Sequence, residues 1–364
     1  MELKKQNLLF FTRTMKAGGT EKVILQLCEI FKPLVHKIVV CSNGGVNEEK
    51  LASMGIRHYW IPDIEIKNLY VVCNVACCLK KIIKKEMITV IHTHHRMAAF
   101  YVFSLKLYKK LIFINTSHNV FYNKKLLTKM AYRKGNLVAC GKMVQNNLTD
   151  FFGMKEDRVA VIHNAVMPLE RDRKEDQLIK ELHCSGNYLV GNVGRLSAQK
   201  GMKYFIRAIP LILKEHANVR FLIIGSGEEE ENLRALAEET GAEPYLYFMG
   251  YREDIQNLIS QLDLLVLSSL WEGLPLTPIE AYSAGKTVVA TAVDGTPEIV
   301  RDGIDGLLIP VRDSDAIAAK VNYLIDHPAV QSELEKNALE RYHSEFTFEM
   351  FSDSYLAYYG SLEG

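Results

Sequence analysis

Arg195 and Lys200 follow a short apolar run, Val190-Gly191-Asn192-Val193-Gly194, and stand five residues apart with Gly201 next. An arginine at the carboxyl end of a strand and a lysine in the following loop can converge on one group. A planar fork beside a point charge is the pairing a diphosphate takes. The plain alternative is two solvated cations flanking a loop. A second stretch, Glu272-Gly273-Leu274-Pro275-Leu276-Thr277-Pro278-Ile279-Glu280, carries two acids eight residues apart behind the apolar run Leu264–Leu267. Pro275 and Pro278 are both expected in a first helical turn, where a missing N–H costs little. The amides of Leu276 and Thr277 then face outward, free for phosphate oxygens. Glu272 at the loop mouth and Glu280 farther into the helix can each accept from neighbouring sugar hydroxyls. The plain alternative is a helix-start acid plus a solvated helix acid, but an acid in so apolar a setting needs a partner.

Near the start, Thr12-Arg13-Thr14 ends an apolar run and Gly18-Gly19-Thr20-Glu21 opens a helix. Glycines there let backbone approach a ligand. A simple strand-to-helix turn with Thr20 as its cap fits equally. His118 in Thr116-Ser117-His118-Asn119, and His94 and His95 before it, fall where strands end. Other motifs fail. Ala284-Gly285-Lys286-Thr287 lacks the first glycine of a phosphate loop, since Glu280 holds that position. Gly225-Ser226-Gly227 runs into four glutamates, which suit a helix start and oppose pyrophosphate there. Asp313-Ser314-Asp315 reads as a helix cap rather than a metal pair, and the histidines lack a matching cysteine pattern, so no metal is expected.

Positioning these residues requires strands that alternate with helices. Strands are predicted at Leu8–Thr12, Lys37–Ser42, Arg57–Ile61, Thr89–His92, Ile112–Thr116, Leu137–Cys140 and Val159–His163. A second series follows at Leu189–Val193, Arg220–Ile224, Leu246–Met249, Leu264–Leu267, Thr287–Thr291 and Leu307–Ile309. Helices are predicted between them, among them Glu21–Phe31, Asn123–Lys134, Met202–Lys214, Pro275–Ala284, Glu333–Tyr342 and Phe346–Tyr359. This alternation specifies parallel sheets built from βαβ units, in two doubly wound α/β halves. The polar stretch 170–176 is the expected start of the linker between them. In such sheets ligands sit beyond the carboxyl ends of the strands.

The 364 residues are 48% hydrophobic and 24% charged, which excludes a disordered or coiled-coil chain. The longest apolar run, Leu69 to Leu79, falls short of the roughly 18 residues that a bilayer span needs. The opening Met1-Glu2-Leu3-Lys4-Lys5 does not read as a secretory signal, and seven cysteines without paired spacing argue against a disulfide framework. A cytoplasmic protein is expected. The net charge of +1 hides a split: residues 1–168 hold 26 Lys and Arg against 11 Asp and Glu, and the rest hold 18 against 32. The basic excess clusters in residues 79–85, 106–110 and 123–129, interleaved with Leu and Ile. Such a surface can lie on anionic lipid, or it can simply be solvated helix faces. Aromatic residues are too sparse in it to suggest nucleic acid.

Taken in order, these stretches resemble the retaining glycosyltransferases of family 4, which have the two-domain GT-B fold. The resemblance runs through Gly18-Gly19-Thr20-Glu21, Val161-Ile162-His163-Asn164-Ala165-Val166, Val193-Gly194-Arg195 with Lys200-Gly201, Glu272 to Glu280, and Thr291-Ala292-Val293-Asp294-Gly295-Thr296-Pro297-Glu298. It implies two Rossmann-like domains facing across a cleft, an acceptor-binding domain over 1–168 and a nucleotide-sugar-binding domain over 169–345. A terminal helix in 346–364 would cross back onto the first. It implies that Arg195 and Lys200 hold the donor's diphosphate, with Gly194, Leu274, Leu276 and Thr277 beside it. Glu280 would bind ribose, and Glu272 the transferred sugar. His118 would line the sugar pocket, and Gly18 and Gly19 would approach the phosphate from the other domain.

The implied reaction is metal-independent transfer with retention, from a UDP-sugar or, next, a GDP-sugar, to a glycan or lipid-linked acceptor of cell-surface polysaccharide or glycolipid synthesis. An epimerase or phosphorylase of the same fold, or a non-catalytic nucleotide-sugar binder, is the alternative. Two departures stand out: Pro275 replaces a glycine frequent in the family's loop, and Ala165 and Met167 replace the glycine and acid usual after Asn164.

Overall fold

The structure, a computed structural model, describes residues 1–170 and 174–362. Its chain divides into two compact units, Met1–Asn164 with Glu349–Gly364, and Ala165–Phe348. In the first, β1 (Asn7–Phe11), β2 (Lys37–Ser42), β3 (Arg57–Trp60), β4 (Val90–Thr93), β5 (Ile112–Ser117), β6 (Asn136–Ala139) and β7 (Val159–Val161) form one parallel sheet. Their order across it is β3-β2-β1-β4-β5-β6-β7. In the second, β8 (Tyr188–Val193), β9 (Val219–Ile224), β10 (Leu246–Phe248), β11 (Leu264–Leu267), β12 (Val288–Thr291) and β13 (Leu307–Ile309) repeat the plan in the order β10-β9-β8-β11-β12-β13.

Both orders are those of a doubly wound sheet. The chain builds outward from the first strand on one side and then returns to build on the other, so neighbouring strands diverge at β1/β4 and at β8/β11. Every residue of β1 and β11 is buried, because helices cover both faces of a parallel sheet and its strands read as continuous apolar runs. Pairing brings Phe11 level with Thr93, and Gly191 level with Leu265. The residues just past these pairs lie at the two points of divergence. The second unit's core packs Phe205 edge-on to Phe221, with ring centroids 5.8 Å apart, among Ile206, Ile209, Ile223 and Val266.

The helix Phe348–Ser361 completes the first unit's core. The Tyr359 ring lies 4.2 Å from that of Phe31, and the Tyr359 hydroxyl shares a 2.8 Å hydrogen bond with His92 Nδ1. Tyr355 and His92 both bond the Thr116 hydroxyl, at 3.1 and 2.8 Å. Among the described residues no helix is long and apolar enough to cross a membrane, and no disulfide joins the cysteines.

The predicted strands fall on the observed ones to within two residues. Helix starts differ more. Pro275 has an extended ψ of 137° and stands outside the helix Leu276–Ser283 as its cap position. Thr20 is inside its helix, which opens at Gly19 with Gly18 before it. The helix containing Glu333 begins at Pro328, whose fixed φ suits a first turn. The first compact unit runs to Asn164; just beyond it Val166 bridges to Thr347, and its carbonyl accepts from the Tyr342 hydroxyl at 3.2 Å. Of the expected linker, residues 171–173 lie outside the described residues.

Asp305 anchors the helix that carries Glu280. Fully buried, it accepts from the Tyr282 hydroxyl at 2.8 Å, the Arg301 amide at 2.7 Å and the Arg341 guanidinium at 3.4 Å. Removing it leaves a buried arginine without that counter-charge. Asp305→Ala is therefore expected to destabilise the fold by about 3–5 kcal/mol, read as a lower urea midpoint at unchanged slope; a loss under about 1 kcal/mol would show the cluster to be incidental.

Candidate functional site

At the β8/β11 divergence the second unit brings together Lys200, Glu272 and Arg195. Lys200 ends a short 3-10 turn, Ala198–Lys200, and its ammonium lies 2.5 Å from Glu272 Oε1. Both side chains are mostly buried. The Ser269 hydroxyl donates to the same carboxylate oxygen at 2.7 Å, so Glu272 is held from two sides. Its backbone amide donates to Asp294 Oδ2 at 2.8 Å, which fixes the loop; Asp294 itself takes a left-handed φ of 41°. Ser268 ties the two strand ends together, accepting from Asn192 and donating to the Lys200 carbonyl, each at 3.0 Å. Only glycine fits at Gly201, where φ is 57° and a Cβ would come 2.2 Å from the Ser268 carbonyl oxygen.

Gly194 lies under the Lys200 side chain, with a Cβ position 3.2 Å from its Cε. Arg195 points into solvent and forms a two-nitrogen contact with Glu228 Oε2, at 2.9 and 3.2 Å. Leu274 is buried beside Glu272, and Leu276 and Thr277 are the first two residues of the helix that follows, with amides that no helical carbonyl precedes. Glu280 is buried one turn farther on. The structure thus joins Lys200 to Glu272 directly, and sets Arg195, Gly194 and the Leu276 helix start around the same strand ends.

In the first unit a cavity of about 170 Å³ opens at the β1/β4 divergence, between Thr12–Thr14, Thr20, Glu21, His94, His95 and His118. His118 Nε2 lies 3.0 Å from His94 Nδ1, with the rings stacked. One imidazole donates and the other accepts, so at most one of the two carries a charge. Burial holds His92 and His94 well below the usual histidine range. His118, half-buried by surface area but enclosed within the cavity, is pushed down to about 4 by burial and by His95. His94 Nε2 is buried with no hydrogen-bond partner among the described residues. Gly18 borders Glu21, whose Oε2 would stand 2.5 Å from a Cβ added there, and Gly19 begins the helix.

Sequence reasoning missed several members. Glu21 accepts from the Thr14 hydroxyl at 2.8 Å, and burial raises its carboxyl above the ordinary range. Arg13 bonds Asp63 at 2.9 Å and Glu65 at 2.7 Å, sealing one wall. Glu228 pairs with Arg195 from a separate loop. The signal for it was the run of glutamates after Gly227, read only as a helix start. Asp313 does cap its helix, accepting from the Ala316 amide at 2.8 Å. Glu215, His216 and Asp326 bring potential ligand atoms within 4.8 Å of one another, outside both sites.

Comparison with known proteins adds to this geometry. Residues 17–168 match the family model described as Glycosyltransferase Family 4, and residues 173–341 the model described as Glycosyl transferases group 1. The UDP-Gal:alpha-D-GlcNAc-diphosphoundecaprenol alpha-1,3-galactosyltransferase of Escherichia coli is 26% identical over 322 residues, covering 82% of this chain and 82% of its own length. An uncharacterized glycosyltransferase of Methanocaldococcus jannaschii is 26% identical over 281 residues, covering 71% of this chain and 72% of its own. Anabaena HepE, solved in complex with UDP and glucose, superposes with a TM-score of 0.84 at 20% identity, over 98% of this chain and 99% of that one. At that identity the likeness shows a shared fold, the GT-B architecture of two Rossmann-like domains.

The neutral histidines set a pH dependence. Unfolded, His118 and His95 titrate near 6.5; folded, burial first of all holds both at about 4. Between those values the unfolded chain binds protons that the folded chain does not. Stability is therefore complete above pH 6.5 and falls as pH drops toward 4, by up to about 1.4 kcal/mol per pH unit for each histidine. Urea unfolding between pH 7 and 5 should show a shallower loss for His118→Gln than for the parent; identical slopes would mean that His118 is not buried neutral.

Proposed function

The chain belongs to glycosyltransferase family 4, and from that premise we propose a retaining, metal-independent transferase. It moves a sugar from a UDP-sugar, with a GDP-sugar next in line, to a glycan or lipid-linked acceptor of cell-surface polysaccharide or glycolipid synthesis. It works on the cytoplasmic side of the membrane. What carries the reading is the Lys200–Glu272 pair beside Arg195 at the switch point of the second sheet. The E. coli relative is named for a UDP-sugar and a diphosphoundecaprenol-linked acceptor, and HepE was solved with UDP and glucose, which favours uridine and a lipid-linked acceptor.

In this reading the second unit binds the donor and the first the acceptor. Cleaving the bond between the anomeric carbon and the diphosphate leaves an oxocarbenium-like centre and an anionic leaving group. Arg195 and Lys200 neutralise that anion, aided by the Leu276 and Thr277 amides at the helix start. Arg195 can be recruited readily, because its contact with Glu228 is solvent-exposed and such pairs are worth about 0–1 kcal/mol. Lys200 stays fixed by a mostly buried carboxylate. Glu272 accepts from hydroxyls of the transferred sugar and Glu280 from the ribose. His118, neutral, exchanges hydrogen bonds with a sugar hydroxyl. Attack comes from the face the leaving group departs, its oxygen taking the acceptor's proton, which preserves the anomeric configuration.

Arg195→Ala and Lys200→Ala are each expected to lower turnover by about 10²–10³-fold, as loss of an oxyanion donor does, measured as donor consumption across a panel of UDP- and GDP-sugars. Near-parental rates in both variants would end this assignment. The matching nucleoside diphosphate should raise stability by about 2.7 kcal/mol at 100 times its Kd.

A further inference from the structure

A second cavity, of about 190 Å³, adjoins the one that holds His118; the two share His95, Arg96 and Phe121 as a common wall. It is lined by three cations, Lys67, Arg96 and Lys124. The one acid in its lining, Glu65, is paired with Arg13 at 2.7 Å. Positive charge is left over. Lys67 and then Arg96 hold the Lys124 ammonium below the ordinary lysine range, and Glu65 offsets them only in part. Lys124 also takes a left-handed φ of 50°, uncommon for a residue with a side chain.

Arg96 is preset. Its guanidinium sits 4.3 Å over the Phe121 ring and bonds Asn123 Oδ1 at 2.8 Å. Phe121 is pinned in turn by Asn147, whose side chain bonds both its amide and its carbonyl at 3.0 Å. Apolar side chains close to these cations in sequence are left uncovered. Leu69, two residues past Lys67, is 77% exposed. Leu126 and Leu127, directly after Lys124 and Lys125, are 71% and 50% exposed, while their helix buries Thr128, Ala131 and Tyr132 instead.

We propose that this pocket takes the diphosphate head of a lipid-linked acceptor, with Lys67, Arg96 and Lys124 on the phosphates and Leu69, Leu126 and Leu127 against the first carbons of the chain. The shared wall then puts the sugar on that diphosphate in the neighbouring cavity, beside His118. A plain glycan offers no charge to the cations, and a flat anionic bilayer cannot enter a concave site. The word acceptor rests on the transferase reading above; the binding site does not.

Farnesyl diphosphate, titrated calorimetrically into the full chain, tests the assignment beside inorganic diphosphate, farnesol and phosphatidylglycerol vesicles. Farnesyl diphosphate should bind at least about tenfold more tightly than inorganic diphosphate, since burying a few methylenes supplies that factor. Lys67→Ala with Lys124→Ala should weaken it by about tenfold or more, as loss of charge-assisted bonds does. Leu126→Ser with Leu127→Ser should abolish only the advantage over inorganic diphosphate. Farnesyl diphosphate should still bind when excess UDP fills the donor site, which separates this pocket from that one. A urea midpoint checks that each variant is folded, and Lys67→Glu, at an exposed position, serves if the double variant is not.

Equal affinity for the two diphosphates, binding unchanged by the lysine variants, or binding that excess UDP competes away would overturn the proposal. So would vesicle capture that farnesyl diphosphate does not compete away. Farnesyl diphosphate binding by a chain that binds no nucleotide would sink the donor reading and leave this site standing.

Discussion

A parallel strand sealed between helices on both faces has one place for a working side chain: just past its carboxyl end. Both sheets here obey that constraint. Thr12–Thr14, His94 and His118 follow β1, β4 and β5, while Arg195 and Ser268–Glu272 follow β8 and β11. Strands that stay paired leave no gap there. Where the order reverses, neighbouring chains turn opposite ways and a hollow opens. The polar residues of each unit are therefore gathered without any element having to give up apolar burial.

Within the second unit the same economy governs charge. Burying a lysine or a glutamate singly is costly, and burying them together is tolerable only when the geometry is good and further hydrogen bonds satisfy the carboxylate. Lys200 and Glu272 meet that condition through Ser269, and Asp294 fixes the loop that brings them together. Arg195 is held differently, by a solvated partner that a stronger anion can displace. One cation is built in and the other is on call, which suits a ligand that must be both gripped and released.

Much of this was legible in the residues. Continuous apolar runs such as Leu264–Leu267 located the strands, because a strand covered on both faces has no polar alternation to obscure it. Arg195, Lys200, Glu272 and His118 stood out through their places after such runs. What stayed hidden depended on partners distant in sequence. Nothing local announces that Glu228 will meet Arg195 across 33 residues, or that His94 and His118 will stack. Helix starts were misjudged at Thr20 and Pro275, where capping preference competed with tertiary placement and lost.

The hydrogen bond from Tyr359 to His92 spans 267 positions, and the Met1 amino group reaches the Leu362 carbonyl at 2.9 Å. The first unit therefore lacks a wall of its own core until the helix Phe348–Ser361 has been synthesised. The later half, Ala165–Phe348, needs nothing from either terminus to close its sheet. The cover over Phe31 and His92 is thus encoded after the whole of the second unit, so the first unit's core is discontinuous in sequence while the second's is not.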